Sequence, residues 1–222
     1  MTVAAQLLRS SNDMLAAGVR ELGVTMPNGA RDKLDAFVAL LAKWNRTYNL
    51  TAIREPERMV THHLLDALAV LPHLPQIAAL RLLDVGSGGG VPGIPLAIAR
   101  PRWSVALVDA SHKKATFLAQ AAAELGLRNV SAHATRIEAF APAAPFDVVI
   151  SRAFADLRTF AETSSRHLAG DGMLVAMKGV HPDEEIAELP DGIAMVAAPK
   201  LRVPGLDAAR HLIVMRRKER DA

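Results

Sequence analysis

The 222-residue chain contains no cysteine. That excludes disulfides, thiolate zinc sites and any mechanism built on a cysteine nucleophile. No apolar run approaches the roughly 18 residues of a membrane span. The first residues, MTVAAQLLRSSND, lack a basic start followed by an apolar core, so no secretory signal is expected and the cytoplasm is the expected location. Charge of one sign is nearly balanced by the other. The net +3 permits an RNA partner without demanding one.

What is present begins with Leu82–Pro95, LLDVGSGGGVPGIP. An apolar run ends abruptly in Gly86, Gly88, Gly89, Gly90 and Gly93, and a second apolar segment follows. Strand, glycine turn and helix open a nucleotide-binding α/β sheet. Two patterns overlap here. Gly88, Gly90 and Gly93 satisfy the dinucleotide form; Gly86, Gly88 and Gly90, with Asp84 two residues ahead, match the loop of Rossmann-like methyltransferases that binds S-adenosylmethionine. No G-K-[ST] follows, so a phosphate-cradling NTPase loop is excluded.

Residues 1–78 read as a helical extension. Met14, Leu15, Val19 and Leu22 form one amphipathic segment closed by Gly23; Leu34, Phe37, Val38 and Leu41 form a second; Met59, His63, Leu64, Ala67, Leu68 and Leu71 form a third, stopped by Pro72. Between them, Trp44 and Tyr48 stand beside Asn45 and Asn49, a pattern that fits a capped, packed turn better than a base contact. His63 and Asp66 share a helix face and are expected to fix the extension to the main domain, since no further metal ligands lie near.

From residue 79 to 222 strands alternate with helices. Strands are expected at Leu80–Val85, Ser104–Val108, Asn129–Ala134, Phe146–Ile150, Gly172–Met177, Ile193–Ala198 and His211–Met215, with helices between, including Leu157–Leu168. MRRKERDA reads as a solvated tail. The fold class expected is α/β: a Rossmann-like sheet with a reversed strand at its edge and a helical N-terminal extension, in which the glycine loop alone leaves NAD and S-adenosylmethionine both open, and Asp84, the width of the loop and the reversed strand favour an S-adenosylmethionine-dependent methyltransferase.

Ligands of such sheets bind at the carboxyl ends of the strands. That rule gathers Gly86–Gly93, Asp109, Ile137–Glu138, Ser151-Arg152 and Lys178 into one crevice. Asp109 lies about twenty residues past the glycines, where an acid bonds ribose hydroxyls; the alternative is a cap for the next helix. Asp84 is expected to hold the ammonium of the methionine tail. After the fourth strand, Ser151-Arg152-Ala153-Phe154 replaces the [DNS]-P-P-[YFW] sequence of enzymes that methylate exocyclic amines. With no cysteine for pyrimidine carbon, the acceptor left is one that already carries a lone pair, such as a purine ring nitrogen, or an unrelated small molecule. Arg152 is a candidate for stabilising that acceptor.

Several motifs in order, KWNRTYNLTAI, HxxD, LLDVGSGGGVPGIPLAI, LVDASHKKATFL, FDVVISRAFADL, Lys178-Gly179 and KLRVPGLDAARHLIV, resemble the bacterial 16S ribosomal RNA guanine-N7 methyltransferases (the RsmG, formerly GidB, family). The resemblance runs from about Asp32 to Met215. It implies S-adenosylmethionine bound by Gly86, Val91, Ile137, Glu138 and Arg152, with Asp109 on the ribose side and Gly88 in the loop. It also implies a guanine of the small-subunit RNA as acceptor, and a monomer meeting 16S RNA or the small ribosomal subunit. The chain departs from many relatives at His62, Ala67 and Ala209, and in the GSGGG form of its loop. Arg46, Arg54, Arg58, Lys113, Lys114 and Lys178 are candidates for phosphate contacts.

Overall fold

A computed structural model describes residues 13–218. The first residues, and the last four of the tail, lie outside that range. Seven strands form one sheet in the order β3-β2-β1-β4-β5-β7-β6: β1 (Arg81–Val85), β2 (Ser104–Asp109), β3 (Val130–Ala134), β4 (Phe146–Arg152), β5 (Leu168–Lys178), β6 (Ile193–Ala197) and β7 (His211–Arg217). The first five are parallel; β7 runs antiparallel to both β5 and β6. The reversed strand is thus inserted beside the edge rather than at it, and β6 forms the edge.

The sheet separates two cores because successive side chains of a strand point to opposite faces. Leu82, Val148 and Val175 face one cluster; their neighbours Leu83, Val149 and Leu174 face the other. Such doubly buried strands read as unbroken apolar runs. The first cluster is covered by α5 (Gly93–Ala99), α6 (His112–Glu124) and the extension: α1 (residues 13–21), α2 (Ala30–Tyr48), α3 (Pro56–Met59) and α4 (Asp66–Leu68). Leu15, Phe37 and Leu64 belong to the same buried cluster as Ile94 and Phe117, so the extension packs as a layer of this core. The second face is covered by α7 (Leu157–Ser164), through Leu157 and Phe160; α8 (Asp183–Ala187) follows β5.

Three expectations are corrected. The helix from Leu157 stops at Ser164, and after a 3-10 turn at Ser165–His167 β5 starts at Leu168. Gly170 lies inside that strand, where the register against β4 slips between Phe146 and Val148. The tail is ordered by pairing as far as Arg217, whose guanidinium donates to the carbonyls of Leu168 and Ala169. The third extension helix is not a uniform α-helix: Val60–Leu65 between α3 and α4 is π-helical.

Candidate active site

At the carboxyl ends of β1 and β2 the chain turns on Gly86, whose φ of +69° disfavours any residue with a Cβ. Gly86 and Ser87 donate their N–H groups to the Val108 carbonyl, which ties the loop to β2. Asp109 completes the tie. One carboxylate oxygen accepts from Gly88 N at 2.9 Å and the other from Ser111 N at 2.8 Å, just before α6. Lys114 Nζ lies 3.9 Å from the same group.

Beneath the loop, Asp84 is fully buried. Its Oδ2 accepts from Gly93 N at 2.9 Å, while Oδ1 has no hydrogen-bond partner. Burial raises its pKa to about 7, against the opposing pulls of the Gly93 N–H and the Arg152 charge. Gly93 must be glycine, because a Cβ there would lie 2.7 Å from Asp84 Oδ2 and collide with Leu107.

A cavity of about 230 Å³ opens above this floor. Its wall includes Gly86, Asp109, Ile137, Glu138 and, unanticipated, Thr135 and Phe154. A 3-10 turn at Ile137–Ala139 carries Ile137 and Glu138. Arg166 holds that turn by donating to the carbonyls of Ile137 and Glu138. Phe154 packs on Phe160 with ring centroids 5.5 Å apart and follows Ala153, whose φ is +63°. The signal for Phe154 was its place directly after the β4 terminus, in Ser151-Arg152-Ala153-Phe154.

Four expected ligand contacts are not on that wall. Asp84 is fully buried below the loop, where it accepts from Gly93 N and holds the loop in place. Gly88 spends its N–H on Asp109. The Val91 side chain belongs to the core. Arg152 points toward the extension: Nη1 donates to the His62 carbonyl at 2.9 Å and to His63 Nδ1 at 3.2 Å, and lies 3.5 Å from Asp66 Oδ2.

His63 and Asp66 do not bond each other, yet both join the extension to the sheet through Arg152. His63 Nδ1 lies 3.0 Å from the His62 carbonyl and 3.2 Å from Arg152 Nη1, and Nε2 pairs with Thr51 Oγ1 at 2.9 Å. Burial, reinforced by the Arg152 charge, lowers the His63 pKa to about 4 and keeps the ring neutral. Asp66 Oδ1 accepts from Arg210 Nε at 3.0 Å. Burial raises its pKa, and the two guanidiniums pull it back.

The remaining candidates are structural or already paired. Asn45 is buried and braces the following loop through Thr51 N and the Ile53 carbonyl. Trp44 packs on Phe117. Lys178 is bonded by both oxygens of Glu185, which weakens its candidacy for a phosphate. No group of three or more metal-ligating side chains occurs among the described residues, and none of their helices is long and apolar enough to cross a membrane.

The site fits S-adenosylmethionine on two observations. A Cβ on Gly86 would project toward Phe154, 4.0 Å from its ring, so the glycine keeps clear a cradle that Cβ would narrow. Asp84 Oδ1 is a buried oxygen without a hydrogen-bond partner beneath that cradle, and a ligand bearing positive charge there favours its ionised form.

Comparison with known proteins agrees with this geometry. Residues 30–213 match the family model described as GidB, rRNA small subunit methyltransferase G. The chain is 53% identical to the ribosomal RNA small subunit methyltransferase G of Laribacter hongkongensis, covering 90% of this chain and 95% of that one. With the protein of the same name from Azoarcus sp. the identity is 55%, over 91% and 95%. Among solved structures, an S-adenosylmethionine-dependent methyltransferase from Aquifex aeolicus shares the fold with a TM-score of 0.57 at 16% identity, covering 80% of this chain and 97% of that one.

Proposed function

The chain belongs to the GidB family of rRNA small subunit methyltransferases, and from that premise we propose that it transfers the methyl group of S-adenosylmethionine to N7 of a guanine in 16S ribosomal RNA. The observation that carries this reading is the cavity at the strand ends. Gly86, Asp109, the Ile137–Glu138 turn and Phe154 surround a nucleoside-sized space directly above the buried Asp84.

In this reading Gly86 lets the backbone approach the ligand. Asp109 organises the glycine loop with one lone pair on each oxygen and offers the others to the ribose. The Ile137 side chain and Phe154 ring flank the base. When bound, the donor supplies an electrophilic sulfonium methyl. Guanine N7 carries a lone pair and no proton, so the chain has no base to provide. Its contribution is alignment, with the Arg152 guanidinium at the junction acting on the acceptor or the methionine tail. A pyrimidine-carbon mechanism is closed by the absence of cysteine. An NAD-dependent hydride transfer lacks a His, Tyr or Lys set at the cavity wall among the described residues.

Arg46, Arg54, Arg58 and Lys113 are exposed on the extension and the start of α6 and are proposed to meet RNA phosphates. Residues 1–78 and 79–222 are distinguished in chain order, the first carrying much of the RNA contact. The enzyme is proposed to act as a monomer in the cytoplasm. The test is methyl transfer from labelled S-adenosylmethionine to protein-free 16S RNA and, separately, to intact small subunits, with the product nucleoside identified. Label in 7-methylguanosine is the expected outcome. Label in another nucleoside, or none with either substrate, defeats the proposal.

A further inference from the structure

We infer that Asp66 is a positioning residue for Arg152, so that the helical segment preceding the sheet completes the methyl-transfer site. The inference rests on the proposed role of Arg152 and adds to it the group that holds it. Arg152 ends β4, in the middle of the sheet, yet every hydrogen bond of its side chain goes to residues some ninety positions earlier. The acceptors come from the π-helical stretch and the residue after it: His62 through its main chain, His63 through its ring, Asp66 through its carboxylate. π turns in otherwise α-helical segments frequently mark functional sites.

The manner of holding separates this contact from an ordinary structural ion pair. Arginine bound for stability typically meets a carboxylate with two parallel N–H···O bonds. Here all three contacts fall on Nη1, and Nε and Nη2 make no hydrogen bond to any described residue. The guanidinium is gripped by one corner with its other donors left over, an arrangement suited to a ligand. Arg210 is the contrast. It meets the same carboxylate through Nε at 3.0 Å and spends Nη1 on the Ala209 carbonyl, which suits a brace. Asp66 is 2% exposed, and a carboxylate so buried persists only with its charge partners in place.

The experiment uses the full chain with S-adenosylmethionine. Affinity is measured calorimetrically and single-turnover transfer is measured on the 16S RNA substrate, with thermal stability recorded for each variant. Asp66→Asn is expected to lower affinity or transfer at least tenfold. Arg210→Met is expected to lower stability and to affect both readouts clearly less than Asp66→Asn does. The deciding comparison is Asp66→Asn/Arg152→Met against Arg152→Met. A residue that acts only through Arg152 adds nothing once Arg152 is gone, so the two should agree within twofold. This comparison survives even if Asp66→Asn alone fails to fold, because in the double variant the new amide at position 66 no longer faces an unpaired guanidinium from β4. A further tenfold loss in the double variant, or an Arg210→Met defect in transfer as large as that of Asp66→Asn, overturns the inference and makes the cluster purely structural. Wild-type affinity and transfer in Arg152→Met would overturn the role of Arg152 itself. A defect there, with Asp66→Asn like wild type, overturns only the positioning role.

Discussion

The two banks of the crevice are built on different principles. One bank, at the ends of β1, β2 and β3, is held mostly by main-chain hydrogen bonds: Gly86 and Ser87 to Val108, Gly88 and Ser111 to Asp109, Gly93 to Asp84. The other, where β4 meets the extension, is held by side-chain charge: Arg152 and Arg210 around Asp66, with His63 beside them. Each bank buries one group with a large shift, and the two are displaced in opposite directions. Asp84 is pushed up to about 7 and His63 down to about 4, burial being the first cause in both. Each is thereby driven toward its neutral form. The difference teaches that backbone scaffolding tolerates an acid with one unpaired oxygen, whereas the charged junction keeps a neutral ring beside Arg152.

The largest expected effect tests that contrast through stability. Below pH 3.8 Asp84 is protonated in both folded and unfolded chains. Between about pH 4 and pH 7 the unfolded chain has released this proton and the folded one retains it, so the folded state loses stability as pH rises and the loss is complete above about 7. At about 1.4 kcal/mol per pH unit this window amounts to ~4 kcal/mol. His63 acts with the opposite sign. Its folded pKa lies below 6.5, so its contribution is present above pH 6.5 and is lost as pH falls toward 4. Asp84→Asn retains an acceptor for Gly93 N and does not titrate. Urea unfolding should therefore show the variant gaining on wild type by several kcal/mol between pH 4.5 and pH 8. An equal difference at the two pH values would show that Asp84 is not protonated in the folded chain.

Asp109 gives the next effect. Asp109→Ala removes two acceptor oxygens from the backbone-held bank. Hydrogen bonds to a charged acceptor contribute about 1.5–3 kcal/mol, so S-adenosylmethionine affinity should fall about ten- to hundredfold, with a loss of stability from the freed Gly88 and Ser111 donors. Calorimetry on the folded variant decides between its roles. Unchanged affinity alongside lowered stability would leave Asp109 as a loop tie and helix cap alone.

The same contrast explains what the sequence made legible. The backbone-held bank needs glycine where φ is positive at Gly86 or where Asp84 and Leu107 crowd Gly93, and such needs leave a local motif. The alternation of strands and helices was likewise readable, because strands buried on both faces are apolar throughout. The charged bank is legible only in part: the spacing of His63 and Asp66 points to a junction with the main domain, but not to the arginines that meet them. Arg152, Asp66 and Arg210 are far apart in sequence, and their meeting depends on a π turn that no periodicity announces. The early start of β5 escaped for a related reason: Gly170 reads as a helix stop, whereas here it lies in a strand whose register slips. For Asp84 the motif gives its position and not its burial.

A smaller effect concerns the outer surface of the extension. Arg54 is bonded only to Asn49, and Arg58 lies 3.7 Å from Glu55, with both partners exposed. Such pairs contribute little to stability. Replacing both arginines by glutamine should leave the fold and cofactor affinity unchanged while reducing the slope of log RNA affinity against log salt by about 1–2. A slope equal to that of wild type would place the RNA on another face.

The smallest expected effect is on the chemical step itself. If guanine N7 is the acceptor, no proton leaves before transfer, and the positive charge passes from sulfur to the purine. Few groups near the crevice titrate in the neutral range. His63 is already neutral there. Asp66 is raised by burial but faces two guanidiniums that favour its ionised form. Asp84, raised to about 7, crosses the range, and a cation bound above the glycine loop favours its carboxylate. Titration of Asp84 should therefore appear in cofactor affinity, which rises with pH through about 7, and disappear at saturation. The single-turnover rate with saturating S-adenosylmethionine is expected to stay within about twofold from pH 6 to pH 9. General-base catalysis would instead give a rate climbing tenfold per pH unit below the pKa of the base. Such a climb, with protein and RNA intact, would move the acceptor from a ring nitrogen to an amine or hydroxyl. It would also require one of the two banks to hold a base that neither now presents.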